Sequence, residues 1–347
     1  MELWTLGVAS PRSVAGAAAR AEEAGWDGFA VVDSQNLSGD CYVALAVAAG
    51  ATDRILLGTG VTNPVTRHPA VAASAIASIQ ALSGGRAVLG IGRGDSALAH
   101  LGRAPAPVAV LERYVDALQR YLRGDAVPFD AVATGPGAPP VETLGLAAAP
   151  DASRLAVVRP DAPKVPVEVA ATGPRVISMA GRLADRVLLA VGADPERVAW
   201  GAETARAERA GVAVGAFVNV VAHPDRDTAR ALVAGGLSTF ARFNVMHGRS
   251  AGPMGDGDRE VLGRLHGAYD MTHHTEAGSP QASTLTAEFI DRFGVAGPPE
   301  HCVARLRALV DLGIDKLVLI GPTAGADRDE AARALRLLVE EVLPQLR

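Results

Sequence analysis

The chain has 347 residues, of which 49% are hydrophobic, and it carries a formal net charge of −5. That length can bury a large α/β core, and the acidic balance offers no general attraction for polyanions, which argues against nucleic acid as a partner. The longest apolar stretches, such as Tyr42 to Ala51, are too short and too rich in Ala and Gly to span a bilayer, and Met1 opens a strand-like segment rather than a basic leader. No membrane partner and a cytoplasmic location are therefore expected.

From the amino end, short apolar runs alternate with amphipathic ones. Strands are expected at Leu3–Val8, Gly28–Val32, Ile55–Val61 and Ala87–Ile91, with helices at Val14–Ala24, Tyr42–Ala51, Val71–Leu82 and Ala109–Leu122. The alternation resumes with strands Val165–Ala170, Arg186–Ala190, Val214–Val221 and Lys316–Ile320, and helices Arg175–Leu183, Pro195–Ala210, Arg226–Phe243 and Arg328–Val342. Eight strands, each followed by a helix, favour an α/β fold of the (β/α)8 TIM-barrel type over a doubly wound open sheet. Residues 1–347 then form a single barrel domain with insertions at about 124–164 and 244–311. The first insertion is rich in Pro and Gly, with an extra hairpin suggested around Ala126–Val132 and Arg154–Val158. The second has weak periodicity, an Ile290–Phe293 segment and a helix Pro299–Leu312. Both suit lids or substrate pockets, and equally packing or dimer contacts.

Polar residues gather where the strands end. Asp33 follows Phe29-Ala30-Val31-Val32, and Asp95 follows Gly90-Ile91-Gly92-Arg93-Gly94, both at the address where barrels keep catalytic groups. Each also reads as a turn or N-cap residue, and two carboxylates on neighbouring strand ends could tune each other for acid–base work. Thr172-Gly173-Pro174-Arg175 ends the fifth strand and opens a helix, whose unpaired N–H groups favour a phosphate. His68 precedes a helix and reads mainly as a cap. His273-His274 lies beside Asp270 and Glu276 without regular metal-ligand spacing, so no metal is expected. Cys41 and Cys302 lack CxxC spacing and read as structural thiols. A Gly-x-Ser-x-Gly elbow and a Walker loop are both missing from the sequence.

The segments Gly60-Val61-Thr62-Asn63-Pro64, Thr66-Arg67-His68-Pro69-Ala70, Gly84-Gly85-Arg86-Ala87, Gly90-Ile91-Gly92 with Gly94-Asp95, and Phe293-Gly294-Val295-Ala296-Gly297-Pro298-Pro299-Glu300 carry a resemblance over nearly the whole chain. The chain resembles the bacterial luciferase-like, flavin- and deazaflavin-dependent oxidoreductases, and most closely the methylene-tetrahydromethanopterin reductase branch, which uses the deazaflavin coenzyme F-420. The resemblance implies a TIM barrel that transfers a hydride between coenzyme F-420 and a small organic substrate, working as a homodimer or a dimer of dimers. It also implies a cis peptide between Gly60 and Val61 behind the deazaflavin, hydrogen bonds to the cofactor from Thr62 and Asn63, and a phosphate-bearing tail held by Thr172 and Gly173, with Arg67, Arg93 or Arg175 supplying positive charge. Asp33 and Asp95 match acidic positions of the family's active site. Ser34 stands where the family usually has a His, and Leu6 where the pterin reductase carries an acid, so the implied substrate need not be a pterin. FMN with oxygen, in a monooxygenase on the same barrel, is the alternative, and a non-catalytic flavin-binding barrel the second.

Overall fold

The computed structural model describes residues 1–132, 138–158 and 163–347. The elements, in chain order, are β1 (Glu2–Gly7), α1 (Val14–Glu23), β2 (Gly28–Val31), α2 (Cys41–Ala49), β3 (Leu56–Thr59), α3 (Pro69–Leu82), β4 (Ala87–Ile91), the single turn α4 (Ser96–Ala99) and α5 (Val108–Arg123). Next come β5 (Val127–Pro128), β6 (Ala152–Ser153), β7 (Val167–Ala171), α6 (Pro174–Leu183), β8 (Arg186–Leu189), α7 (Pro195–Glu208), β9 (Ala213–Ala222) and α8 (Arg226–Phe243). The chain finishes with α9 (Asp256–Ala268), α10 (Ala287–Phe293), β10 (Val295–Gly297), α11 (Pro299–Val310), β11 (Lys316–Ile320) and α12 (Arg328–Leu337). The hydrogen-bonded strand order is β10-β9-β11-β1-β2-β3-β4-β7-β8, and β8 pairs again with β9. Eight parallel strands therefore close in the order expected of a (β/α)8 barrel, with β10 added outside on β9.

Two compact units divide the chain: Met1–Gly7 with Arg20–Ala30 and Glu168–Arg347, and Val8–Ala19 with Val31–Val167. In the first, Val221, Leu232, Val233, Leu237, Leu262, Leu265, Phe289 and Phe293 form a buried cluster, with the last two rings stacked at 5.0 Å. Each such side chain contributes about 1.5–3 kcal/mol on burial. At the amino ends of its strands, an ion-pair lattice replaces apolar packing. Lys316 and Glu168, each with its side chain 2% exposed, meet at 2.6 Å, and Arg186 reaches Glu168 at 2.5 Å, Glu2 at 2.8 Å and Asp315 at 2.8 Å. Strand register dictates this meeting, since Glu2 lies opposite Lys316 and Glu168 opposite Arg186. The Lys316 ammonium also sits 3.3 Å from the centre of the Trp4 ring. In the second unit, Leu57, Ile76, Ile79, Leu89, Ile91, Leu98, Leu111, Val115, Leu118 and Leu122 are all buried.

The expected barrel elements agree to within a few residues, and the departures have local causes. β3 stops at Thr59, short of the expected Val61, and Thr62 rejoins the sheet as a single bridge to Ile91. The hairpin in the first insertion consists of Val127–Pro128 against Ala152–Ser153, so its second strand lies two residues before the expected span. Residues 133–137 and 159–162 of that insertion lie outside the described residues. In the second insertion α9 escapes periodicity because glycines interrupt it, yet Val261, Leu262 and Leu265 supply one apolar face. The final helix ends at Leu337 and passes into a wider, π-helical turn through Val342.

Candidate active site

Within the second unit, the loops after β2, β3 and β4 are tied to one another by side chains. Asp33, two residues past β2, is 3% exposed. Its Oδ2 accepts hydrogen bonds from Thr62 Oγ1 at 2.6 Å and Arg67 Nη1 at 2.6 Å, and its Oδ1 accepts from Gln35 Nε2 at 2.6 Å. The second arm of Arg67 reaches Asp40 Oδ2 at 2.7 Å, its guanidinium lies 4.9 Å from the Tyr42 ring centre, and its carbonyl accepts from Tyr114 at 2.9 Å. Burial works against the Arg67 charge, but the Asp33 carboxylate and the hydrogen bonds to Asp33 and Asp40 outweigh it and hold the guanidinium above its ordinary range.

The peptide bond between Gly60 and Val61 is cis, as the resemblance implied. Gly60 N donates to Val31 O at 2.8 Å, and Thr62 exchanges backbone bonds of 2.9 Å with Gly90 and Gly92, so the turn is stitched to both neighbouring strands. Asn63 Oδ1 accepts from Val65 N, Thr66 N and Thr66 Oγ1 at 3.0, 3.1 and 3.2 Å, an Asx turn that shapes the loop as far as Arg67. Its Nδ2 donates to Gln35 Oε1 at 3.4 Å. Gly90 is required by close approach, because a Cβ there would lie 2.3 Å from the Thr59 carbonyl oxygen. Gly94 holds φ at +80°, and a Cβ on it would stand 2.6 Å from Leu98 and 3.1 Å from Asn63.

Asp95, half-buried, occupies the N-cap position of α4 without capping it through its side chain. The loop after β4 is tied to the loop after β2 by Asn36, which donates to the His100 carbonyl at 3.2 Å. His68 is the N-cap of α3, its Nδ1 accepting from Ala70 N at 3.2 Å, and burial keeps its pKa below the ordinary value. A groove of about 370 Å³ opens beside these residues, lined by Thr66, Arg67, His68, Arg113 and Tyr114 together with Val65 and Val110. Cys41 lies against Asp33, and burial pushes its thiol well above the usual range, so it is a poor nucleophile.

In the first unit, Thr172 and Gly173 directly follow β7, and Gly173 is the N-cap of α6. A Cβ on Gly173 would meet nothing within 4 Å, so the space at the helix amino end is open. His273 Nδ1 bonds Asp270 at 2.6 Å and His274 Nδ1 bonds the Tyr269 hydroxyl at 2.8 Å. Among the described residues, no group of three or more His, Cys, Asp or Glu side chains is arranged to hold a metal. Nor is any described helix long and apolar enough to cross a membrane. Sequence reasoning missed Gln35, Asp40 and Tyr114 as parts of the cluster. Asp40 was detectable locally, since Asp ahead of an apolar run signals an N-cap, and its Oδ1 does accept from Tyr42 N at 2.8 Å.

Parallel strands closed on themselves, with polar side chains clustered past their carboxyl ends, define a TIM-barrel enzyme. Residues 3–316 match the family described as luciferase-like monooxygenase, and the chain belongs to that family. The 5,10-methylenetetrahydromethanopterin reductase of Methanolobus tindarius is 28% identical over 93% of this chain and 93% of its own. The F420-dependent glucose-6-phosphate dehydrogenase of Beutenbergia cavernae is 30% identical over 97% of this chain and 94% of its own. The solved coenzyme F420 dependent tetrahydromethanopterin reductase from Methanopyrus kandleri shares the fold, with a TM-score of 0.74 at 22% identity, covering 100% of this chain and 99% of its own.

Proposed function

We propose that the protein is a coenzyme F-420-dependent oxidoreductase that transfers a hydride between the deazaflavin and a small organic substrate. The observation that carries this reading is the character of its relatives: similar over nearly their whole length, they are named for unlike substrates, a reduced pterin in one and glucose 6-phosphate in the other. What such enzymes hold in common is the hydride carrier, so the cofactor is inherited and the substrate is left open.

The donor set suits a flat heteroaromatic ring bearing carbonyl and N–H groups. Directly after the Gly60–Val61 bond, the Thr62 hydroxyl, which donates to Asp33, keeps its oxygen lone pairs as acceptors, the Asn63 amide has a second N–H beyond the one given to Gln35, and the open amino end of α6 at Thr172 and Gly173 suits a phosphate. When bound, the deazaflavin supplies a two-electron hydride carrier. The chain's part is to fix the face and distance of that ring through residues 60–63, to hold the anionic tail at Thr172 and Gly173, and to handle the accompanying proton. Asp33, whose two oxygens accept from Thr62, Arg67 and Gln35, and Asp95, at the start of α4, are the acidic pair proposed for that proton. Arg93, whose Nε donates to the Ala106 carbonyl at 2.5 Å, and Arg175, exposed in the first turn of α6, stand as cations for the tail.

The same reading treats residues 1–347 as one barrel domain with its two insertions and places it in the cytoplasm as a homodimer. Helices α2 and α3 support the dimer: neither carries a charged residue, and Val43 and Val71 are 52% and 55% exposed. The test of function is a parallel fluorescence titration of the apo-protein with oxidised coenzyme F-420 and with FMN at one ionic strength. Micromolar or tighter binding of F-420 alone is expected. Preference for FMN overturns the reading and turns the assay to oxygen consumption; binding with no turnover of any imine, enone or pterin-like compound supports a non-catalytic barrel.

A further inference from the structure

We propose that Arg67 is a positioning residue that acts through Asp33 to hold the β3 loop in its binding shape; this rests on the hydride-transfer reading for its consequence, though not for its geometry. The loop 62–67 begins and ends on one atom. Thr62 Oγ1 at its start and Arg67 Nη1 at its end both donate to Asp33 Oδ2 at 2.6 Å, and between them Asn63 Oδ1 gathers the Val65 and Thr66 backbone N–H groups. Asp33 is thus the clasp of a closed loop whose first residues are those proposed to face the cofactor.

Arg67 is in turn fixed from three further directions. Asp40 takes its second arm at 2.7 Å, the Tyr42 ring lies beneath the guanidinium at 4.9 Å, and the Tyr114 hydroxyl holds its carbonyl at 2.9 Å. A planar fork that spans two carboxylates and stacks on an aromatic ring is a task for Arg that Lys performs poorly. Without this cation, Asp33 would remain a buried carboxylate with only the neutral groups of Gln35, Thr62 and Cys41 beside it, and repulsion from Asp40 would go unscreened. The clasp would then open, freeing Thr62 and the Asn63 turn together.

The experiment compares the full-length protein with Arg67→Met, Arg67→Lys and Asp33→Asn. The first readout is amide hydrogen exchange at residues 62–66 in the apo-protein, and the second is the Kd for oxidised coenzyme F-420. Loss of a hydrogen bond between charged partners should raise exchange and Kd each about tenfold or more in Arg67→Met. Arg67→Lys should recover part of the protection, and the double variant Arg67→Met/Asp33→Asn should be no worse than either single one. Unchanged exchange at residues 62–66 in Arg67→Met, or fully additive losses in the double variant, would overturn the proposal. Faster exchange spread evenly over the unit would do so too, since that marks general destabilisation. A wild-type protein that ignores F-420 would defeat the cofactor reading alone, because the exchange readout needs no ligand.

Discussion

At the scale of single residues, the decisive atom is the Asp33 carboxylate, whose partners lie 29 and 34 residues away at Thr62 and Arg67. Thr62→Val removes a hydroxyl donor from that buried charge while keeping the side chain's shape. It is expected to lower stability by about 1–3 kcal/mol in urea unfolding and to weaken F-420 binding in the same titration. Gly90→Ala presses a methyl group onto the Thr59 carbonyl oxygen at 2.3 Å, a backbone atom that has no rotamer to yield. The cost should be about 1–3 kcal/mol, read from the denaturation midpoint; a change below the error of that measurement would mean the strands part without effort. From sequence, Asp33 and Asp95 stood out by address alone, whereas the partners that occupy Asp33 depend on how the loops meet.

A helix end in one unit and a strand end in the other respond to pH. His68 caps α3 through an unprotonated Nδ1, and burial sets its folded pKa below the ordinary 6.5. The folded state therefore binds fewer protons than the unfolded one, so the cap's stabilisation is complete above about pH 6.5 and disappears as pH falls through the lower folded value. Replacing His68 by Asn should keep the cap and remove this pH dependence, whereas Ala should cost about 1 kcal/mol at neutral pH. At the amino ends of the strands, burial would raise the pKa of Glu2, but Arg186 beside it prevails and sets it below the ordinary 4.5. Stability from that pair is present above pH 4.5 and lost on acidification below it, so the melting temperature of Glu2→Gln should converge with that of wild type in acid. Lys316→Met leaves Glu168, 2% exposed, facing Arg186 alone, and should cost about 3–5 kcal/mol in chemical denaturation. None of this lattice was anticipated, because its hydrogen-bonded partners are separated by up to 184 residues and meet only through strand register.

For the whole molecule, the βα alternation carried the architecture, since buried parallel strands and amphipathic helices leave different periodicities in the chain. β10 was invisible for the same reason: three residues are too few for any period, and Val295–Gly297 form a strand only because β9 presents an edge to them. In the proposed homodimer, the uncharged helices α2 and α3 are the expected interface. Val43→Asp together with Val71→Asp should shift the protein to a monomer in light scattering without lowering its thermal stability by more than a few degrees, and an unchanged mass would remove these helices from the interface.

By itself the sequence determined the eight-stranded repeat, the His68 cap and the strand-end addresses of Asp33, Asp95, Thr62, Asn63, Thr172 and Gly173, since these depend on neighbours a few residues apart. Only the tertiary structure decided that Asp33 is clasped by Arg67 rather than open, that β3 yields at Thr59, and that Lys316 is buried against Glu168. Such outcomes belong to pairs of groups remote along the chain, whose charges and hydrogen bonds take their values from burial and distance, and both are set when the strands come into register.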